Sequence, residues 1–180
     1  MSIVLQSSGG GSVTINEPTT ASNFTQTLPA TTGDVMVSGN MPAFAVYKNS
    51  PDQSITTSTY TKVTFSNEEF DTNNNFASST FTPTVAGYYQ LNWQVDCAGT
   101  VISKAWSELR KNGNQFKVGG VAGSGFSVSE VLTTGAALVY ANGTTDYFEI
   151  YAYVTATSPV IYSSSSTAST WFNGSLVRTA

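Results

Sequence analysis

The densest set of reactive side chains is Glu68-Glu69-Phe70-Asp71, followed by the amide run Asn73-Asn74-Asn75. Two carboxylates across a cleft would suit glycoside hydrolysis, one as acid and the other as base or nucleophile. Glu68, Glu69 and Asp71 could instead offer calcium hard oxygen ligands, though without the spaced pattern of a dedicated calcium loop. Neighbouring acids do not supply the separated pair a glycosidase needs, so the segment reads first as a solvated loop beside a strand end. Cys97 has no basic neighbour to lower its pKa and reads as a small core residue. Gly119-Gly120-Val121-Ala122-Gly123-Ser124-Gly125 has the glycines of a phosphate loop but neither its Lys-Ser/Thr nor a following helix, and reads as a flexible surface loop. Ser163-Ser164-Ser165-Ser166 reads as a loop open to outside contacts.

Composition removes further chemistry. The 180 residues include no histidine and one cysteine. Ser-His-Asp and Cys-His mechanisms, His- or Cys-built zinc sites, imidazole pH switches and an intrachain disulfide are therefore excluded. Seven Lys+Arg stand against eleven Asp+Glu, a net charge of −4, and no cationic cluster exceeds Arg110-Lys111. Nucleic-acid binding through phosphates is not expected of such a chain. Charged residues make up 10% of the chain, against roughly 25% in ordinary soluble domains, and Ser, Thr and Asn supply the polarity instead. No cofactor is expected.

The start, Met1-Ser2-Ile3-Val4-Leu5-Gln6, has no basic region and only a short apolar run, so neither a secretory signal nor a membrane span is expected. The longest apolar run, Ala136–Ala141, fits one buried strand. Composition divides the chain near residue 40. Residues 1–40 hold Gly9-Gly10-Gly11, Pro18, Pro29, Gly33 and Gly39, and the short extended pieces Ser12–Ile15, Phe24–Leu28 and Asp34–Val37. Such an arm borrows contacts from another surface, by strand addition or packing.

From residue 41 the elements that must position any site are strands. Ala43–Tyr47, Thr61–Phe65, Tyr88–Val95, Ala105–Arg110, Ala136–Tyr140, Tyr147–Val154 and Thr170–Val177 are period-two candidates. Asn112-Gly113 and Asn142-Gly143 suit tight hairpin turns. Short strands at this spacing predict an all-β sandwich or barrel. Tyr147, Tyr151 and Tyr153 fall on the strand face opposite Phe148, Ile150, Ala152 and Val154, so they form either a subunit interface or a partly wetted surface.

Phe81-(five residues)-Gly87-x-Tyr89-x-Leu91-x-Trp93 resembles the signature of the complement C1q globular head, which shares its jelly roll with tumour necrosis factor. Asn75-Phe76 upstream, Leu109-Arg110-Lys111-Asn112-Gly113, and Trp171-Phe172-Asn173-Gly174-Ser175-Leu176-Val177 resemble other parts of that pattern. The spacing from Phe76 to Phe81 is short for it, Thr82 and Pro83 stand where a cysteine is common, and no collagen-like repeat precedes. The resemblance implies an all-β C1q/TNF-like jelly roll over 41–180, preceded by an extended arm, and a homotrimer. Phe81, Tyr89, Leu91 and Trp93 alternate onto one strand face and read as core.

The arm, with Ser7–Ile15 followed by Thr25–Val35, is similar to N-terminal segments of tailed-bacteriophage fibre and virion proteins. That similarity implies a virion protein made in the host cytoplasm and attached through Val13, Ile15, Phe24, Leu28, Val35 and Val37 to the major capsid protein or another virion protein. Two non-enzymatic roles follow: a capsid decoration or cement trimer, or a tail-fibre tip that binds a host surface glycan or protein.

Overall fold

The computed structural model describes residues 2–16, 19–20, 23, 25, 30, 35–122, 127–164 and 168–180. The chain forms two compact units, Met1–Gly33 and Asp34–Ala180. In the first, β1 (Ser2–Gln6) pairs antiparallel with β2 (Ser12–Asn16). Their turn is closed by Ser7 N–H donating to the Gly11 carbonyl at 2.7 Å, with Gly10 at φ +87°. The expected piece at Ser12–Ile15 is thus a hairpin strand, and its partner β1 was not foreseen. Phe24–Leu28 lies outside the described residues except Thr25, and of the expected piece Asp34–Val37 the described Val35–Val37 form no strand.

The second unit is all-β; among its described residues helix is limited to a 3-10 turn at Ser38–Asn40. Its strands are β3 (Ala43–Tyr47), β4 (Gln53–Ser54), β5 (Thr61–Lys62), β6 (Asn67–Asp71), β7 (Phe76–Ala77), β8 (Thr80–Phe81), β9 (Gly87–Lys111), β10 (Asn114–Ala122), β11 (Val128–Ala141), β12 (Phe148–Ile161) and β13 (Trp171–Thr179). Two layers share one strand. The first half of β9 pairs with β13 and β11, and β3 and β6 extend that layer beyond β13. Its second half pairs with β12 and β10, and β4, β5 and β8 lie beyond β12. The two segments expected as separate strands, Tyr88–Val95 and Ala105–Arg110, are therefore one strand of 25 residues. It changes layers around Val101, which holds φ +55°, while β12 carries register shifts between Thr155 and Val160. Bulges of this kind bend and twist a strand without ending it.

Alternation puts the core between the layers. Tyr89, Leu91, Trp93 and Val95 of β9 meet Phe148, Ile150, Ala152 and Val154 of β12, all at most 1% exposed. Phe44 stacks on Phe81 with ring centroids 4.2 Å apart and meets Phe172 edge-on at 4.9 Å. The Trp93 indole N–H donates to Ser107 Oγ at 2.9 Å, a buried tie between the two halves of β9. A Cβ on Gly87 would overlap the Arg178 carbonyl, and one on Gly135 would overlap the Trp93 ring, so both backbones sit closer than another residue allows.

Several expectations change. Asn112 (φ +54°) and Gly113 (φ +77°) make the tight β9–β10 hairpin as expected. Asn142-Gly143 does not make a hairpin, because β11 and β12 both pair with β9, in different layers. Asn142 Oδ1 instead accepts from the N–H groups of Thr144, Thr145 and Asp146 and shapes a crossing connection. Glu68–Asp71 lies in a strand, β6, rather than a loop. Gly119 and Gly120 belong to β10, not to a free loop, and Gly123–Gly125 lie outside the described residues. Beyond Lys62, the Thr61–Phe65 segment keeps one bond to β12, Val63 N–H to the Ile150 carbonyl. The apolar run Ala136–Ala141 is not buried on both sides: Val139 and Ala141 are, while Leu138 and Tyr140 point outward.

Candidate functional site

The outward faces of the two layers differ in how their side chains are used. On the first layer, register sets Tyr88, Gln90, Asn92 and Gln94 of β9 opposite Tyr140, Leu138, Ala136 and Thr134 of β11. Asn92 Nδ2 donates to Asn173 Oδ1 at 3.1 Å, and Gln90 Nε2 donates to Asn92 Oδ1 at 3.0 Å, forming an amide ladder. Beside it Tyr88, Leu132, Leu138 and Tyr140 are 38–57% exposed. Tyr88 and Tyr140 are 5.6 Å apart between centroids, with the Arg178 guanidinium 5.4 Å from the Tyr88 ring and the Lys111 ammonium 5.7 Å from that of Tyr140. Large apolar side chains clustered on one sheet face, with amides among them, mark an interaction surface more than an ordinary exterior.

The second layer's face is closed around its aromatic side chains on β9 and β12, while on β10 Val118, set opposite Glu108, is 52% exposed and Phe116 42%. Trp106 and Tyr153 stack with centroids 4.1 Å apart and planes 5° apart, and Tyr60 packs on both. The Arg110 guanidinium lies 3.9 Å over the Tyr151 ring, and its Nε is 2.6 Å from Glu108 Oε1. Gln115 Nε2 donates to Glu108 Oε2 at 2.6 Å. Lys62 Nζ is 2.7 Å from Glu149 Oε1. Burial, and secondarily the nearby Glu149 charge, push the Tyr151 hydroxyl above its ordinary value. Tyr147, Tyr151 and Tyr153 are half-buried within the single chain. Within the chain Arg110 packs on Tyr151, Trp106 on Tyr153 and the Asn112-Gly113 turn on Tyr147.

Two carboxylates on β9 mark the contrast. Glu108, fully buried in the second layer, has two donors. Asp96, 2% exposed in the first layer, has Oδ1 without a hydrogen-bond partner among the described residues. Burial pushes its carboxyl up, the neighbouring Ser169 hydroxyl works against this without reaching hydrogen-bond geometry, and the charges of Glu130 and Asp52 add to the rise. Cys97 beside it is fully buried, and burial takes its thiol to about 12, which leaves it a packing residue.

The signature residues are positioned as follows. Phe81, Tyr89, Leu91, Trp93 and Phe172 are buried, Gly87 and Gly174 are buried in their strands, and Phe76 packs at the edge of the same cluster. Trp171 is not in the core; register sets it between Tyr47 and Gln94, half-buried on the first layer's outward face. Among the acidic candidates, Asp71 takes a structural role, accepting from Phe76 N–H at 2.7 Å and Asn73 N–H at 3.3 Å. Glu68 and Glu69 are exposed, and no group of three metal-ligating side chains occurs among the described residues. Glu68 is the one titratable residue lining a hollow of about 220 Å³ beside β6, so that hollow lacks the second carboxylate of a glycosidase. Ser163 is tied down, its N–H and Oγ both donating to Asp52 Oδ1 at 2.8 Å, whereas Ser165 and Ser166 lie outside the described residues. Sequence reasoning missed the open face. Its signal was the outward alternation of Leu138 and Tyr140, hidden inside a run read as one buried strand, with Leu132 just ahead of that run.

This two-layer arrangement is the C1q/TNF-like jelly roll. Among solved structures, the chain is similar to the globular domain of zebrafish complement 1qA protein, with a TM-score of 0.55 and 20% identity over 77% of this chain and 99% of that one. Murine APRIL is similar at TM-score 0.54 and 10% identity, over 76% of this chain and 99% of that one. The Eiger TNF of S. frugiperda is similar at TM-score 0.56 and 9% identity, over 78% of this chain and 95% of that one. No family model matches the sequence, and a search of curated proteins finds no match.

Proposed function

We propose that the chain is a non-enzymatic, self-associating structural protein whose jelly roll forms a homotrimer through the outward face of its first layer. The observation that carries this reading is the open row of Tyr88, Leu132, Leu138 and Tyr140 beside an amide ladder, whereas on the other sheet face the rings of β9 and β12 are packed on one another and under Arg110. The C1q/TNF-like fold adds support, since resemblance to that family implies three copies around an axis. Light scattering on the purified full chain at micromolar concentration should give three times the chain mass; a monomer would sink the proposal.

The finer reading is a virion protein of a tailed phage, a capsid decoration or cement trimer attached through its N-terminal segment. Its support is the likeness of that segment to phage virion proteins, and the exposure of Val13, Ile15, Val35 and Val37 at 54–74% fits residues made to be covered. Phe24 and Leu28, assigned to the same contact, lie outside the described residues. A tail-fibre tip is the second reading, favoured by the Tyr60, Tyr153 and Trp106 ladder, an aromatic surface on which a host glycan could stack. Copy number per particle separates them: many tens of copies and a weakened shell on deletion support decoration, whereas few copies and lost adsorption support the tip.

A further inference from the structure

The hairpin of β1 and β2 has an unused face. Its register sets Ile3 opposite Ile15 and Leu5 opposite Val13, and opposite residues in an antiparallel pair share a side of the sheet. All four are on one side and all four are exposed, at 60%, 54%, 56% and 64%. The other side carries Val4 opposite Thr14 and Gln6 opposite Ser12. A two-stranded hairpin is marginal in water without a layer over its apolar side.

The occupant is indicated by charge and by register. Residues 1–16 contain no Asp, Glu, Lys or Arg, so copies of this face meet without repulsion between charged side chains. Ile3 with Ile15, and Leu5 with Val13, lie at common heights on the ladder. Copies arranged round an axis would therefore stack the same side chains in two closed apolar layers, the β1 edge of one against the β2 edge of the next. Four side chains per copy fall far short of the roughly 800 Å² per partner of a stable free-standing interface. Such hairpins need the raised local concentration that joined heads provide.

We infer that the Ile3, Leu5, Val13 and Ile15 face is a second self-association element, in which the hairpins of one trimer pack apolar face to apolar face. This rests on the proposed head trimer. It reassigns Val13 and Ile15 from the particle to sister chains and leaves the opposite side of the hairpin, with Val4, Gln6, Ser12 and Thr14, for attachment.

The native Cys97 is fully buried, so one introduced cysteine reports alone. Full-length Ile15→Cys and, from the opposite side, Thr14→Cys are each oxidised by oxygen with copper-phenanthroline, which takes two electrons per disulfide, and run on non-reducing gels. The inference expects Ile15→Cys to form covalent dimers, up to about two of every three chains since a trimer holds an odd thiol, with Thr14→Cys forming few. A trimeric mass with no cross-link at position 15, or with equal cross-linking at 14 and 15, overturns the inference and leaves the head trimer standing. So does a position-15 thiol that maleimide labels in the free trimer and that becomes protected only when phage particles are added, since the face would then belong to the particle. A monomeric mass for the parent chain removes the head trimer and the inference with it. If Ile15→Cys misfolds by circular dichroism, Leu5→Cys against Val4→Cys repeats the comparison with the same outcomes.

Discussion

The two outward faces of the jelly roll carry similar numbers of aromatic rings and use them in opposite ways. In the second layer the rings of β9 and β12 are packed: Trp106 lies flat on Tyr153, Tyr60 meets both, and Arg110 covers Tyr151. In the first layer Tyr88, Leu138 and Tyr140 face solvent, and the hydrogen bonding beside them runs between amides. The same contrast holds for charge. Glu108 and Asp96 sit on one strand, both buried, yet Glu108 has Arg110 and Gln115 while an Asp96 oxygen has no hydrogen-bond partner among the described residues. A face that satisfies its own groups holds a monomer together; a face that leaves apolar groups uncovered is suited to another chain. Residue type alone does not separate the two, because tyrosine appears on both.

The largest effect on stability belongs to the closed face. Glu108→Ala would leave the Arg110 guanidinium and the Gln115 amide without their acceptor at a fully buried position, and removing one partner of a buried ion pair costs about 3–5 kcal/mol. Urea unfolding should show a loss of that order; a loss below about 1 kcal/mol would mean that water replaces the carboxylate and that the face is not closed. Next comes the open face. Leu138→Asp sets a charge on a side chain that is 57% exposed in the single chain, so intrinsic stability should change by less than about 0.5 kcal/mol. In the trimer that charge would be buried unpaired, and association should weaken by about 100-fold or more, seen as a shift to monomer mass in light scattering. An unchanged trimer would move the interface elsewhere.

The sequence carried the fold at the positions where a local pattern has only one outcome. Phe81, Gly87, Tyr89, Leu91 and Trp93 alternate because one side of their strand is core, and Gly87 must be glycine because the Arg178 carbonyl sits against it. Phe148, Ile150, Ala152 and Val154 against Tyr147, Tyr151 and Tyr153 was equally readable as two sides. Which side was open was not readable. That depends on β9 and β12 pairing Glu108 with Tyr151 and Trp106 with Tyr153, which brings Arg110 over the rings, and no local pattern reports a register between segments forty residues apart. Asn142-Gly143 failed for a related reason: a dipeptide reports its own backbone preference, not which strands it joins. The hairpin strand β1 went unseen because its three consecutive apolar residues obscure the alternation that pairing reveals.

Trp106→Ala tests the closed face more gently. It removes the stack on Tyr153 and the edge contact with Tyr60 and should cost about 2 kcal/mol in urea, with no change of mass in solution. Loss of the trimer with this variant, at unchanged monomer stability, would reverse the roles of the two faces.

The smallest effect is at Asp96, and its sign is the informative part. Its folded-state carboxyl is raised above the ordinary value by burial, so the folded chain holds the proton to higher pH than the unfolded chain, which releases it near pH ~3.9. The favourable contribution is complete below that unfolded value and is lost as pH rises through the raised folded value. At neutral pH Asp96→Asn removes a buried charge with one unpartnered oxygen and should stabilise the chain by about 1 kcal/mol. The advantage should shrink toward zero as the pH is lowered past ~4, where the parent aspartate is already neutral in both states. Urea midpoints for the two chains across that range supply the measurement. A variant less stable than the parent at neutral pH, with a gap that does not vary with acid, would mean that the Asp96 carboxylate is as well partnered as Glu108, and the contrast between the faces would then rest on the aromatic rings alone.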